Sequence, residues 1–179
     1  MEIESSKAYR KTFGNLKCFI FIKHKPLICI GPHWPFFLCF FTGLVLLSIF
    51  FIFNVCPRIG IISTILGVVN FGFLLTSYFL AAIVNPGIEM NQLKDDDLEC
   101  DSEITDNFCI ICQVYRHPRS EHCEECGVCI QEYDHHCPWT SKCIGKGNIK
   151  YFYCFLTGLF ISFVFGIIIM AIQSKIKNS

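Results

Sequence analysis

The stretch IISTILGVVNFGFLLTSYFLAAIV, Ile61–Val84, runs for twenty-four residues without a charged side chain. As a helix rising about 1.5 Å per residue it is long enough to cross a hydrocarbon layer of roughly 30 Å. Two more runs of this kind flank it, FFLCFFTGLVLLSIFFIFNV at Phe36–Val55 and YFYCFLTGLFISFVFGIIIMAI at Tyr151–Ile172. The chain has 179 residues, of which 53% are hydrophobic and 15% aromatic, with a mean hydropathy of +0.47. Those values exceed the usual composition of a soluble domain. Three uncharged runs in so short a chain leave too little polar surface to cover them as buried soluble helices. An α-helical integral membrane protein with three transmembrane helices is the expected fold class.

Five residues, Cys56–Gly60, join the first two runs and force a helical hairpin. Basic residues near span ends set orientation. Lys7, Arg10, Lys11, Lys17, Lys23 and Lys25 precede the first span, whereas the tight turn has only Arg58. The N-terminus and the segment between spans two and three are therefore expected in the cytosol. Lys142, Lys146 and Lys150 agree, and the two lysines of the tail QSKIKNS run against the rule. The first apolar run begins only near Pro35, so no signal peptide is expected. Within the spans, Asn70 is expected to hydrogen-bond a neighbouring helix, and Cys39 and Cys154 to be packing residues. Packing is likewise expected for Cys18 and Cys29, with S-acylation as the alternative. His24 and His33 show no partner pattern and read as surface residues. Asn85-Pro86-Gly87 ends the second helix, and Asp95-Asp96-Asp97 reads as a solvated linker.

Formal net charge is zero, so there is no basic footprint for nucleic acid. Thirteen cysteines suit a disulfide scaffold or a metal site. Seven of them crowd into CIICQVYRHPRSEHCEECGVCIQEYDHHCPWTSKC, Cys109–Cys143, in paired spacing with histidines. That density in a cytosolic segment reads as zinc, which favours tetrahedral sulfur and nitrogen ligands. The segment has few branched apolar residues, so metal binding would supply its folding free energy. Two closed sites need eight ligands. Setting His117 aside leaves ten candidates: Cys109, Cys112, His122, Cys123, Cys126, Cys129, His135, His136, Cys137 and Cys143. One Cys and one His are surplus if each site takes three Cys and one His, and spacing does not say which histidine is free. A free Cys beside a free His is a nucleophile with its base, and Asp134 can orient the imidazole.

Asp134-His135-His136-Cys137-Pro138-Trp139, with the Cys/His run before it, resembles the DHHC-type protein S-acyltransferases (palmitoyltransferases). The likeness extends over Cys109–Asn148, including Arg116, Arg119, Ser120, Ile144, Gly145 and Asn148. The N-terminal GNLKCFIFIKHKPLICIGPHWPFF resembles the Erf2-like branch. The resemblance implies a small cytosolic zinc-binding Cys-rich domain with two structural zinc ions. One is held by Cys109, Cys112, His122 and Cys129, the other by Cys123, Cys126, His136 and Cys143. It leaves Cys137 as nucleophile, His135 as base and Asp134 as orienter. The implied reaction moves palmitate from palmitoyl-CoA through a Cys137 acyl-enzyme to membrane-proximal cysteines of protein substrates. The acyl chain would lie among the spans, and Arg116, Arg119 or nearby lysines would either meet the CoA phosphates or be solvated. The implied setting is an endomembrane, Golgi or ER. The family normally has a fourth span and a cytosolic Thr-Thr-x-Glu motif, so the chain is expected to be part of a longer protein. The alternative is an inactive three-span zinc-binding interaction protein.

The expected organisation is a basic cytosolic segment (1–34), a helical hairpin (35–84) and an acidic linker (85–108). The Cys-rich domain (109–148), the third span (149–172) and a tail (173–179) follow.

Overall fold

The computed structural model describes residues 12–22, 25–90 and 107–178. The element order is a small β-sheet, two helices, three β-hairpins and a last long helix. His24 and the acidic run Asp95–Asp97 lie outside the described residues.

Among the described residues, three helices are long and apolar enough to cross a membrane. The first, α1, covers Trp34–Phe50 and carries Pro35 in its opening turn, where a missing N–H costs no helical bond. It continues through a π-helical turn, Phe51–Val55, and a 3-10 turn, Cys56–Arg58, into the short connection. Gly60 has φ of 146°, a conformation that L side chains rarely adopt, and the chain reverses there. The second helix, α2, covers Ile61–Ile83. Ser63 fastens its start by donating to the Cys56 and Gly60 carbonyls, both at 2.7 Å. Its end follows from Pro86, which biases the preceding backbone away from helix, and Val84 is already extended. The last helix, α3, covers Ile149–Asn178. It runs through most of the segment expected as a separate tail, because no Gly or Pro interrupts residues 167–178. Gln173 also anchors it, donating to the Val55 carbonyl at 2.8 Å. Lys175 and Lys177 in its last turn suit the negative end of the helix.

Phe71, Leu74, Tyr78 and Phe155 form the buried core of the helices, with Phe37, Phe40 and Phe41 packed around them. Tyr78 and Phe155 are 4.6 Å apart between ring centroids. As expected, Asn70 bonds across helices, donating to Ser162 Oγ at 2.9 Å. Cys39 and Cys154 depart from expectation. Both are exposed on their helices and lie outside the buried clusters found among the described residues.

The region expected as a basic segment holds a three-stranded antiparallel sheet: β1 (Thr12–Phe13), β2 (Leu16–Ile22) and β3 (Lys25–Ile30). Cys18 and Cys29 are cross-strand partners, buried, with their sulfurs 2.6 Å apart. This sheet shares a core with the Cys-rich module, in which Leu16, Cys18, Cys29 and Ile88 join Cys123, Cys126, Val128, Ile130 and Cys143. Asn15 N–H donates to the Cys126 carbonyl at 2.8 Å, and isolated bridges join Ile28 to Val84 and Ile88 to Ile130.

The Cys-rich module is three two-stranded hairpins: β4 (Phe108–Cys109) with β5 (Val114–Tyr115), β6 (Glu121–Cys123) with β7 (Val128–Ile130), and β8 (His135–Cys137) with β9 (Lys142–Ile144).

Candidate functional site

Each CxxC pair occupies a tight turn, and each partner pair comes from across the next hairpin. Cys109 and Cys112 sit in the β4–β5 turn, closed by Gln113 N–H donating to the Cys109 carbonyl at 2.7 Å. Their partners His122 and Cys129 are directly opposite each other on β6 and β7. Cys123 and Cys126 occupy the β6–β7 turn, where Gly127 at φ 66° donates to the Cys123 carbonyl at 2.8 Å. Their partners His136 and Cys143 face each other on β8 and β9. The middle hairpin thus serves both clusters, and the clusters interleave along the chain.

In the first cluster, His122 Nδ1 lies 3.1, 3.7 and 3.8 Å from the sulfurs of Cys112, Cys109 and Cys129. In the second, His136 Nδ1 lies 3.4, 3.5 and 3.5 Å from those of Cys123, Cys126 and Cys143. A tetrahedral zinc ion with Zn–S near 2.3 Å and Zn–N near 2.0 Å separates its sulfur and nitrogen ligands by roughly 3.5 Å. The donor sets therefore fit zinc in both places, and both clusters could hold it. Burial, and then the neighbouring His33, hold His136 below the ordinary imidazole pKa, which favours the neutral ring that a metal needs. Cys143 Sγ donates to Cys126 Sγ at 3.4 Å, lowering the Cys126 thiol and raising that of Cys143.

Side chains alternate faces along a strand. With His136 turned to the sulfurs, its neighbours His135 and Cys137 belong to the opposite face of β8. There His135 Nδ1 is 2.5 Å from Asp134 Oδ1, and its ring meets Phe152 of α3 at 5.3 Å. Asp134 itself is held by its N–H donating to the Ile144 carbonyl at 3.1 Å. An Nδ1–H donated to Asp134 leaves Nε2 as the acceptor of that imidazole. Cys137 is buried and opens the 3-10 turn Pro138–Thr140. Thr140 Oγ1 donates to the Cys137 carbonyl at 3.2 Å. Tyr78 of α2 donates to the Trp139 carbonyl at 2.5 Å, and the Trp139 ring meets Phe36 and Phe40 of α1 at 6.1 and 5.7 Å. The turn that carries Cys137 is thereby fixed to two of the long helices.

The sequence held no sign of the contacts that several other residues make at this site. Lys142, opposite Cys137 in register, is fully buried and donates to the carbonyls of Ala81 and Ala82 at the end of α2. Burial pushes its pKa down to about 8, against the pull of Cys29, Cys126 and Cys143. Asn148 donates to the Ala81 and Cys143 carbonyls at 3.0 and 3.1 Å. His33 is not the free surface residue expected. Its Nδ1 lies 2.9 Å from His136 Nε2, a pairing across 103 residues that no spacing could reveal. His117, rightly outside both clusters, lies 2.8 Å from the buried carboxylate of Glu89. Arg119 pairs with Glu132 at 3.6 Å.

Comparison with known proteins shows what the arrangement is similar to. Residues 102–178 match the sequence model of the DHHC palmitoyltransferase family. Palmitoyltransferase ZDHHC5 of Mus musculus is 35% identical over 119 residues, 59% of this chain and 16% of the mouse protein. ZDHHC5 of Homo sapiens is 33% identical over 129 residues, covering 63% and 18% of the two chains. Palmitoyltransferase ZDHHC8B of Danio rerio is 33% identical over 134 residues, covering 65% and 18%. The chain spans less than a fifth of the length of these relatives.

Proposed function

We propose that this chain, whose residues 102–178 match the sequence model of the DHHC palmitoyltransferase family, belongs to that family, and that the protein is a protein S-acyltransferase with Cys137 as its nucleophile. Palmitoyl-CoA is the donor and membrane-proximal cysteines of other proteins are the acceptors. The observation that carries the reading is the face of β8 opposite His136, where His135 is oriented by Asp134 at 2.5 Å. His135 Nε2 accepts the Cys137 thiol proton. The thiolate attacks the palmitoyl thioester carbonyl, the bond from that carbon to the CoA sulfur breaks, and CoA leaves with the proton from His135. In the second half an acceptor thiol passes its proton to His135 and attacks the Cys137 thioester, which returns Cys137 as the free thiol. One thioester replaces another at each stage, so positioning and proton transfer are the main demands on the protein. Zinc would supply structure in two closed sets of four ligands, and the ion of the second set, which takes His136 from β8 and Cys143 from β9, would fix those strands together and so aim Cys137. Cys109, Cys112, His122 and Cys129 hold one ion, and Cys123, Cys126, His136 and Cys143 the other. The helices lie in an endomembrane, with the Cys-rich module on the cytosolic side.

The test is autoacylation. Purified zinc-loaded protein incubated with palmitoyl-CoA should form a hydroxylamine-labile adduct that Cys137→Ala abolishes. Zinc content separates the roles: Cys137→Ala should keep two ions per chain and Cys143→Ala should lose one. Zinc-loaded protein that never acylates would leave only a membrane zinc-binding protein, and zinc loss in Cys137→Ala would overturn the division of ligands.

A further inference from the structure

We propose that His33 is a positioning residue for the second metal cluster, accepting the Nε2–H of His136 and so holding that imidazole with Nδ1 toward Cys123, Cys126 and Cys143. The inference rests on reading that cluster as a zinc site. Its basis is proton bookkeeping. A neutral imidazole that ligates through Nδ1 carries its proton on Nε2. His136 Nε2 is 2.9 Å from His33 Nδ1, so His136 donates and His33 accepts. The His33 proton then belongs on Nε2, which faces the Glu125 carboxylate at 3.9 Å. That is beyond a direct hydrogen bond but within electrostatic attraction. One assignment thus satisfies the series His136, His33, Glu125, and Glu125 adjoins the ligand Cys126. The rings meet edge-on at 71°, with centroids 5.0 Å apart. His33, Glu125 and His136 also lie close enough to hold a cation of their own. Such an ion would require His136 to give up both ring protons while serving the cysteines, whereas the hydrogen bond requires nothing further.

His33 is well placed to bear this role. It is the residue before α1, and its carbonyl accepts the N–H groups of Phe36 and Phe37 at 3.1 and 3.4 Å. Its own N–H donates to the Ser141 carbonyl at 3.2 Å, two residues before Cys143. Gly31 N–H donates to Ser141 Oγ at 3.2 Å, and a Cβ on Gly31 would collide with the Ser141 carbonyl. Only glycine permits that approach, so the start of the first long helix is clamped to the β8–β9 hairpin. Partners that orient a metal-bound histidine in this way typically change affinity by roughly 10- to 100-fold when removed.

The experiment uses the full chain in detergent, with His33→Phe and His33→Gln. Zinc is titrated out with a competing chelator, and the cobalt(II)-substituted proteins are compared by visible absorption. His33→Phe should weaken one of the two ions by roughly 10- to 100-fold and leave the other unchanged. It should also shift the ligand-field bands of one cobalt site. His33→Gln, whose amide oxygen can accept from His136 Nε2–H, should restore most of the affinity and the wild-type bands. Wild-type affinity and bands in His33→Phe would overturn the proposal. Equal loss in both variants would mean packing alone and overturn it too, as would parallel weakening of both ions. If Cys143→Ala kept both ions, the zinc reading itself would fail, whatever His33 does.

Discussion

Glu89 ties the chain leaving α2 to the Cys-rich module. Its N–H donates to the Cys129 carbonyl at 2.8 Å. Its buried carboxylate accepts from the His117 backbone at 3.2 Å, His117 Nδ1 at 2.8 Å, Ser120 Oγ at 3.4 Å and Gln131 Nε2 at 3.2 Å. Burial by itself would raise the carboxyl pKa. The bonds from His117 and Gln131 outweigh it and hold Glu89 below the ordinary carboxylate value of 4.5. A depressed folded-state pKa stabilises the fold above the unfolded value and loses that contribution as pH falls through the folded one. The contribution of Glu89 is therefore complete above about pH 4.5 and fades below it. Glu89→Gln should lower the melting temperature near neutral pH, with the gap to wild type closing as the pH falls below that point. A gap constant with pH in thermal melts would contradict this. Residues such as Glu89, Lys142 and His33 were illegible in the sequence because their partners lie tens of residues away and belong to no motif. The two Cys/His clusters were legible because a tetrahedral metal site imposes local spacing.

Between α2 and α3, Asn70 Nδ2 donates to Ser162 Oγ in otherwise apolar surroundings. Hydrogen bonds of this kind between membrane helices contribute about 0.5–2 kcal/mol. Asn70→Ala should lower stability by that order in SDS-unfolding titrations, and Ser162→Ala should add little once Asn70 is gone. Additive losses would mean that each residue acts elsewhere. At this scale the sequence was most informative: the three uncharged runs give the three long helices to within a few residues at most ends. It undershot the last helix because charge was read as a boundary, whereas Lys175 and Lys177 sit comfortably in a final helical turn. The β1–β3 sheet was missed because its exposed Phe19, Ile20 and Ile22 blur the alternation that marks a strand. The choice between His135 and His136 was in principle legible. Residues 135 and 137 share one face of any strand, and His136 has the other.

For the whole molecule, the β1–β3 sheet and the Cys-rich module share one end, with the start of α1, the end of α2 and the start of α3. The Cys56–Gly60 turn and Gln173 mark the other end, joined by the Gln173–Val55 bond. If the helices span a bilayer, these two ends lie on opposite sides. With the proposed endomembrane setting and cytosolic Cys-rich module, an epitope inserted at Arg58 should be inaccessible to antibody when only the plasma membrane is permeabilised, and one placed in Asp95–Asp97 accessible. Exposure of both under that condition would contradict a spanning arrangement. The β8–β9 hairpin has one more consequence. On the proposed roles, metal and chemistry divide a three-residue strand by parity, with residue 136 even and residues 135 and 137 odd. A slip of one position would exchange the two sets, offering His135 and Cys137 to the cysteine cluster and His136 to Asp134. Under the proposed function zinc would therefore serve as the reading frame of the site, and metal restored in the wrong frame would return zinc content without returning function.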